Sequence, residues 1–261
     1  MKRPIYQIDA FTDVVFKGNP AAIVPLDDWL TDQTMQNIAM ENNLAETAFL
    51  VKKPDSYHLR WFTPKYEVDL CGHATLATAH YLFTIAGFKH EQVHFNTRSG
   101  LLTVKRLPDG YTMDFPQDSI RPCAVLPEFE RILPEGSILE VWMGKTDYLL
   151  YLAEENMVMA ITDEFNALKD WPVRGFIVTS LSSKYDFISR CFYPGAGIDE
   201  DPVTGSAHTS LTPFWKSKTG RSTFKACQAS ARGGEVYCEQ VDDRVLLTGN
   251  AVTYLIGEIF I

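Results

Sequence analysis

Three short stretches of the chain gather residue types that chemistry uses. Asn43-Leu44-Ala45-Glu46-Thr47-Ala48-Phe49 sets one acid between a predicted helix end and an apolar strand. A carboxylate partly withdrawn from water there holds its proton more readily and can move it near neutral pH. An exposed strand-start glutamate is the plainer alternative. Asp69-Leu70-Cys71-Gly72-His73-Ala74-Thr75 and Asp201-Pro202-Val203-Thr204-Gly205-Ser206-Ala207-His208-Thr209 each open a predicted helix with a glycine. Glycine lets a ligand approach the backbone, and exposed first-turn N–H groups favour an anion. Facing one another, two such starts would cradle a carboxylate, although a tight strand-to-helix turn needs the same glycines. His73 could donate to a substrate oxygen or simply cap or pack. Asp201, held extended before Pro202, could orient an amine or hydroxyl or merely complement the helix dipole.

Other chemistries lack their signatures. Cys71, His73 and His80 do not have zinc-ligand spacing. Asp201, Ser206 and His208 are serine-hydrolase residue types, but no Gly-x-Ser-x-Gly elbow exists and the serine and histidine are too close. No glycine-rich dinucleotide or phosphate loop appears. Neither a metal nor an organic cofactor is therefore expected.

The elements that must position these groups alternate between strand and helix. Tyr6–Phe11, 21–24, Thr47–Val51 and Tyr57–Phe62 read as strands. Thr31 is the expected N-cap of a helix that buries Met35, Ile38 and Ala39 and stops near Asn42-Asn43. A helix from about Gly72 to Ala86 is apolar round most of its circumference, so other structure should surround it. Strands 101–104 and 111–115 flank Pro108-Asp109-Gly110, which is turn chemistry and predicts a hairpin. Pro116, Pro122 and Pro127 punctuate a candidate linker. Beyond it, strands are expected at 138–142, 148–152, 175–178, 186–192, 245–247 and 252–261, with a helix from Thr204 towards Lys216. Gly72 and Gly205 lie 133 positions apart in a chain of 261, which suggests an internal duplication.

The bulk properties limit the partners. A net charge of -9 with no Lys/Arg-rich run argues against nucleic acid. No stretch approaches the ~18 apolar residues of a membrane span, and the first residues reach Asp9 before any signal-like apolar run. Five cysteines without paired spacing read as reduced thiols of a cytoplasmic protein.

An ordered set of motifs resembles the phenazine-biosynthesis-like (PhzF-like) family. They are Phe16-Lys17-Gly18-Asn19-Pro20-Ala21-Ala22, Asn43-Leu44-Ala45-Glu46-Thr47, Leu70-Cys71-Gly72-His73-Ala74-Thr75, Thr97-Arg98-Ser99-Gly100, Glu200-Asp201-Pro202-Val203-Thr204-Gly205-Ser206-Ala207-His208 and Gln228-Ala229-Ser230-Ala231-Arg232-Gly233-Gly234. The resemblance implies an α+β, diaminopimelate-epimerase-like fold of two pseudo-symmetric domains. Each would be a curled, mainly antiparallel sheet around a central helix, with the site between them. The expected domains are 1–120, completed by strand 250–261, and 121–249. It also implies a cofactor-independent isomerase acting on a small carboxylate-bearing metabolite. Glu46 matches the family's acid/base, and His73 and Asp201 its supporting polar residues. Gly72, Gly205 and Ser206 match the carboxylate-binding donors, Thr204 is expected to bind substrate beside them, and Asn19 matches a pocket asparagine. A second copy of the chain is the candidate protein partner. Epimerase relatives carry a cysteine at both helix starts, whereas here Cys71 is answered by Thr204, which favours single-base transfer by Glu46 over two-thiol racemisation. An amino-acid racemase, epimerase or dehydratase, or a non-catalytic binding protein, remains the alternative.

Overall fold

The computed structural model describes residues 2–54 and 56–261. They form two compact units, 1–115 with 247–261, and 116–246.

The first unit runs β1 (Lys2–Ala10), β2 (Asn19–Leu26), α1 (Asp32–Asn42), β3 (Glu46–Lys52), β4 (Tyr57–Phe62), β5 (Glu67–Val68), α2 (Gly72–His80), β6 (Gln92–Thr97), β7 (Gly100–Leu107) and β8 (Gly110–Pro116). The second contains β9 (Arg121–Cys123), α3 (Pro127–Ile132), β10 (Ile138–Met143), β11 (Asp147–Leu152), α4 (Glu155–Ala160), β12 (Gly175–Leu181), β13 (Phe187–Tyr193), β14 (Ile198–Asp201), α5 (Gly205–Thr219), β15 (Thr223–Gln228) and β16 (Gly234–Val241). β17 (Arg244–Gly249) spans the boundary, and β18 (Ala251–Phe260) pairs antiparallel with β1. The fold is α+β, of the diaminopimelate-epimerase-like class.

The duplication is written in the strand directions. In the first unit β1–β2 is antiparallel, β2–β3 parallel, β3–β4 antiparallel, β4–β6 parallel and β6–β7 antiparallel. In the second, β10–β11, β11–β12, β12–β13, β13–β15 and β15–β16 repeat that series in the same order. In each unit a short strand, β5 or β14, pairs antiparallel with the fourth strand of the series and leads into the glycine-started helix.

That helix is central in the first unit. Residues Gly72–Ala79 of α2 are all buried, with Ala74, Ala77 and Ala79 fully so. Alanine's small side chain lets the helix sit close to strands on several sides. The expected helix to Ala86 changes pitch at Tyr81: residues Tyr81–Ile85 form a π-turn, and Ala86 N–H donates to Tyr81 O at 2.9 Å. An evenly apolar sequence carries no face that could reveal this shift. On the other side of β3 and β4, α1 packs Met35 and Ile38 against Val24, Phe49 and Phe62. It is capped as expected: the Thr31 hydroxyl accepts from Thr34 N–H at 3.1 Å, and Asn43 takes the left-handed conformation.

In the second unit Phe129, Leu150, Phe165, Phe176 and Phe192 form the main core. The helix α5 contains Pro213, which supplies no N–H for the carbonyl of Thr209. That carbonyl instead accepts from Asp118 N–H at 3.1 Å, and the Asp118 carboxylate takes the Ser210 hydroxyl at 2.8 Å. The proline is thus accommodated by the segment read from sequence as a linker. Within that segment β9 also pairs with β10, a strand its prolines concealed.

Candidate active site

The first unit brings Asn19, Glu46, Cys71 and His73 together. β2 and β3 run parallel with Ala21 beside Glu46, so Asn19 and Glu46 emerge at the same sheet edge. Gly18 sets the entry to β2 at φ +63°, where a Cβ would stand 2.1 Å from Ala10 O. The turn therefore demands glycine. Glu46 Oε2 lies 3.1 Å from His73 Nε2, with side chains 13% and 5% exposed. Neither atom has an aligned hydrogen bond among the described residues. On the other side of the imidazole, Nδ1 lies 3.2 Å from Asn19 Nδ2 and 3.5 Å from Cys71 Sγ. Burial disfavours a charged His73, but its neighbours Cys71 and Glu46 hold it well above the ordinary histidine range. Burial, and then the Glu46 carboxylate, push the Cys71 thiol up to about 11. At neutral pH it is a thiol and a poor base.

The second unit gathers Asp201, Thr204, Gly205 and Ser206 around the start of α5. The Thr204 hydroxyl donates to Asp201 Oδ2 at 2.5 Å, and Thr204 N–H donates to Gln228 Oε1 at 2.7 Å. The Gln228 amide returns bonds to Asp201 O at 2.7 Å and Thr204 Oγ1 at 3.1 Å. Thr204 thus spends its hydroxyl proton and its N–H inside the cluster. Beyond it, Gly205 is buried and Ser206 partly exposed. The Ser206 hydroxyl accepts from Arg174 Nη1 at 3.1 Å, and Arg174 forks onto the buried Asp147.

Both glycine-started helices begin without a side-chain cap. Cys71 and Thr204 occupy the N-cap positions, and neither makes a capping hydrogen bond. Thr31 of α1 shows that this chain can cap a helix where nothing else is required. An uncapped start leaves first-turn donors and the positive end of the helix for an incoming anion. The two starts are held in the same way. Ser99 Oγ donates to Asp69 O at 2.7 Å ahead of α2, and Ser230 Oγ donates to Pro202 O at 2.8 Å ahead of α5. Asp69 and Pro202, like Gly100 and Gly233 in the two supporting turns, are again 133 positions apart. This gives the motifs at 97–100 and 228–234 a structural task that sequence reasoning left blank. Gln228, Arg174 and Asp147 were missed as site neighbours. Gln228 lay inside a quoted motif; Arg174 and Asp147 carried no signal, because strand pairing alone brings them together.

All five cysteines are free. Among the described residues no helix is long and apolar enough to cross a membrane.

The family model described as phenazine biosynthesis-like protein (PhzC-PhzF) matches residues 8–257. An uncharacterized isomerase of Pseudomonas aeruginosa is 47% identical over 258 residues, 98% of each chain. The human phenazine biosynthesis-like domain-containing protein is 35% identical, over 98% of this chain and 99% of its own. A PhzF family crystal structure from Enterococcus faecalis superposes with a TM-score of 0.95 at 46% identity, covering all of both chains. A hydroxyproline epimerase from Agrobacterium vitis shares the fold with a TM-score of 0.61 at 11% identity. With matching motifs, family model and relatives along its whole length, the chain belongs to the phenazine biosynthesis-like (PhzF) family.

Proposed function

We propose that this protein is a cofactor-independent isomerase of a small carboxylate-bearing metabolite, with Glu46 as its single proton carrier. The isomerase class is supported by the relatives named as isomerases in Pseudomonas aeruginosa and Halalkalibacterium halodurans. The observation that carries the mechanism is the shielded Glu46 carboxylate at 3.1 Å from His73 Nε2, beside the uncapped start of α2. Glu46 takes a proton from the carbon next to the substrate carboxylate. Negative charge then grows on that carboxylate, where N–H groups at Gly72 stabilise it. His73 supports the charge exchange at Glu46, and Asn19 fixes the imidazole. Asp201, Gly205 and Ser206 serve as polar and carboxylate-binding groups of the second unit. Glu46 returns the proton to a different carbon on the same face.

The racemase alternative is weakened by two features. Cys71 is a poor base while its thiol is held up to about 11, and the matching position is Thr204, whose hydroxyl is already given to Asp201. Self-association is part of the proposal: Tyr254, Ile256 and Phe260 of β18 are large, exposed apolar residues, and a second copy would cover them. Light scattering at working concentration should report a dimer, and a monomer would refute this part.

The deciding experiment is a screen of cyclic and linear amino acids in deuterated water. Isomerisation with little solvent exchange supports the proposal. Racemisation with exchange would replace it by the racemase, and no turnover or exchange on any member by a binding role.

A further inference from the structure

Cys71 has no task in the proposed isomerisation, yet it stands with two groups that suit another chemistry. One ligand-capable atom each from Glu46, Cys71 and His73 lies within 4.8 Å of the others. Cys71 and His73 are buried and Glu46 is largely shielded. Carboxylate, imidazole and thiolate together are a donor set that Zn²⁺ accepts at about 2.0–2.3 Å, which places neighbouring ligand atoms roughly 3.3–3.5 Å apart. Oε2 and Nε2, 3.1 Å apart, are close to that spacing before any cation arrives, while Sγ rests 3.5 Å from the other ring nitrogen, Nδ1, and has to swing towards Nε2. Oε2 and Nε2 are also buried without aligned hydrogen-bond partners among the described residues. Such a pair has two lone-pair sites to offer once the imidazole is neutral with its remaining proton on Nδ1.

We infer that Glu46, Cys71 and His73 form a binding site for a zinc-like divalent cation. The cation sits between Glu46 Oε2 and His73 Nε2, and the Cys71 side chain turns about its χ1 bond to bring Sγ in. Binding exchanges the thiol proton, released to solvent, for a metal–sulfur bond, and water fills the fourth position. Asn19 is the outer partner: its amide nitrogen faces Nδ1 at 3.2 Å, and turning the amide over presents the oxygen to an Nδ1 proton and so keeps Nε2 for the metal. An occupied site has no free Glu46, so the cation is an inhibitor of the isomerase. That consequence rests on the proposed role of Glu46, whereas binding itself does not.

The test uses the full chain, dialysed against chelator and then titrated with ZnCl₂ by calorimetry and with CoCl₂ by absorption spectroscopy. One equivalent of zinc and a cobalt–thiolate charge-transfer band are expected. Zinc affinity should fall at least tenfold in Cys71→Ser and in Glu46→Gln, and stay unchanged in Cys123→Ser of the other unit. No saturable binding, no thiolate band, or full affinity in Cys71→Ser would overturn the site. The cobalt band is read on the wild-type chain, so a poorly folded variant does not obscure the answer. Zinc binding alongside a fully active Glu46→Gln would keep the site and remove the proposed base. Absent binding with an inactive Glu46→Gln would do the reverse.

Discussion

Asn19 Nδ2 lies 3.2 Å from His73 Nδ1, and this contact governs which imidazole nitrogen carries a proton towards Glu46. While the amide nitrogen donates to Nδ1, the single proton of a neutral ring must be on Nε2, the atom 3.1 Å from Glu46. A second proton on the ring needs an acceptor at Nδ1, and the asparagine supplies one by turning its carbonyl oxygen inward. Proton state and amide orientation are thereby coupled.

Glu46→Gln keeps shape and hydrogen bonding but removes the base. The chemical step should fall by ~10²–10⁴ while substrate binding survives. Cys71→Ser should cost far less, since its thiol, at about 11, does not act as a base near neutral pH. Single-turnover proton transfer and pH–rate profiles on both variants check this. Proton transfer should be lost in Glu46→Gln and persist in Cys71→Ser; the opposite pattern would make a thiol the proton carrier.

Arg174 and Asp147 should respond unequally to truncation. Asp147 is 4% exposed and Arg174 41%. Arg174→Met strands a buried carboxylate and should cost the second unit about 3–5 kcal/mol. Asp147→Asn leaves a guanidinium that already reaches water and should cost clearly less. Urea unfolding of the two variants gives the ranking, and equal losses would contradict it.

Gly18→Ala should lower both stability and activity. The residue sits at φ +63° and its new Cβ would collide with Ala10 O. A loss of at least about 1 kcal/mol is expected, together with a displaced Asn19. An unchanged melting temperature would show that the turn can relax without cost.

Acid should destabilise the protein through His208. Burial pushes this histidine down to about 4, and its Nδ1 lies 2.8 Å from Thr204 O. The unfolded chain binds the proton near pH 6.5 and the folded chain only near 4. Its stabilising contribution is therefore complete above about 6.5 and lost as the pH falls towards 4, on the order of 3 kcal/mol at most. Melting curves across that window should show a shallower pH dependence in His208→Gln than in the wild type.

Much of the architecture was legible because it is local or repeated. Thr31 and Asn43 bound their helix by side-chain chemistry a reader can recognise. The glycines at 72 and 205 exposed a period that the strand directions repeat. Glu46, His73 and Asn19 were singled out through motifs, not spacing: 54 positions separate Asn19 from His73, and only the parallel pairing of β2 with β3 and the return of α2 unite them. What stayed hidden depends on long-range pairing. β15 and β16 were overlooked, although the motif 228–234 runs from the end of one to the start of the other. The π-turn at Tyr81 and the Asp118 bond that compensates Pro213 each answer a need created by tertiary packing.

The pairing of β1 with β18 also has a consequence for synthesis. Residues 2–10 need residues 251–260 as their neighbours, whereas residues 116–246 form one uninterrupted stretch. A chain emerging from the ribosome amino-end first can thus close its middle before its beginning. Until β18 is made, β1 offers an open edge with Ile5, Tyr6 and Ile8 along it, a target for mispairing and for chaperones that guard nascent strands.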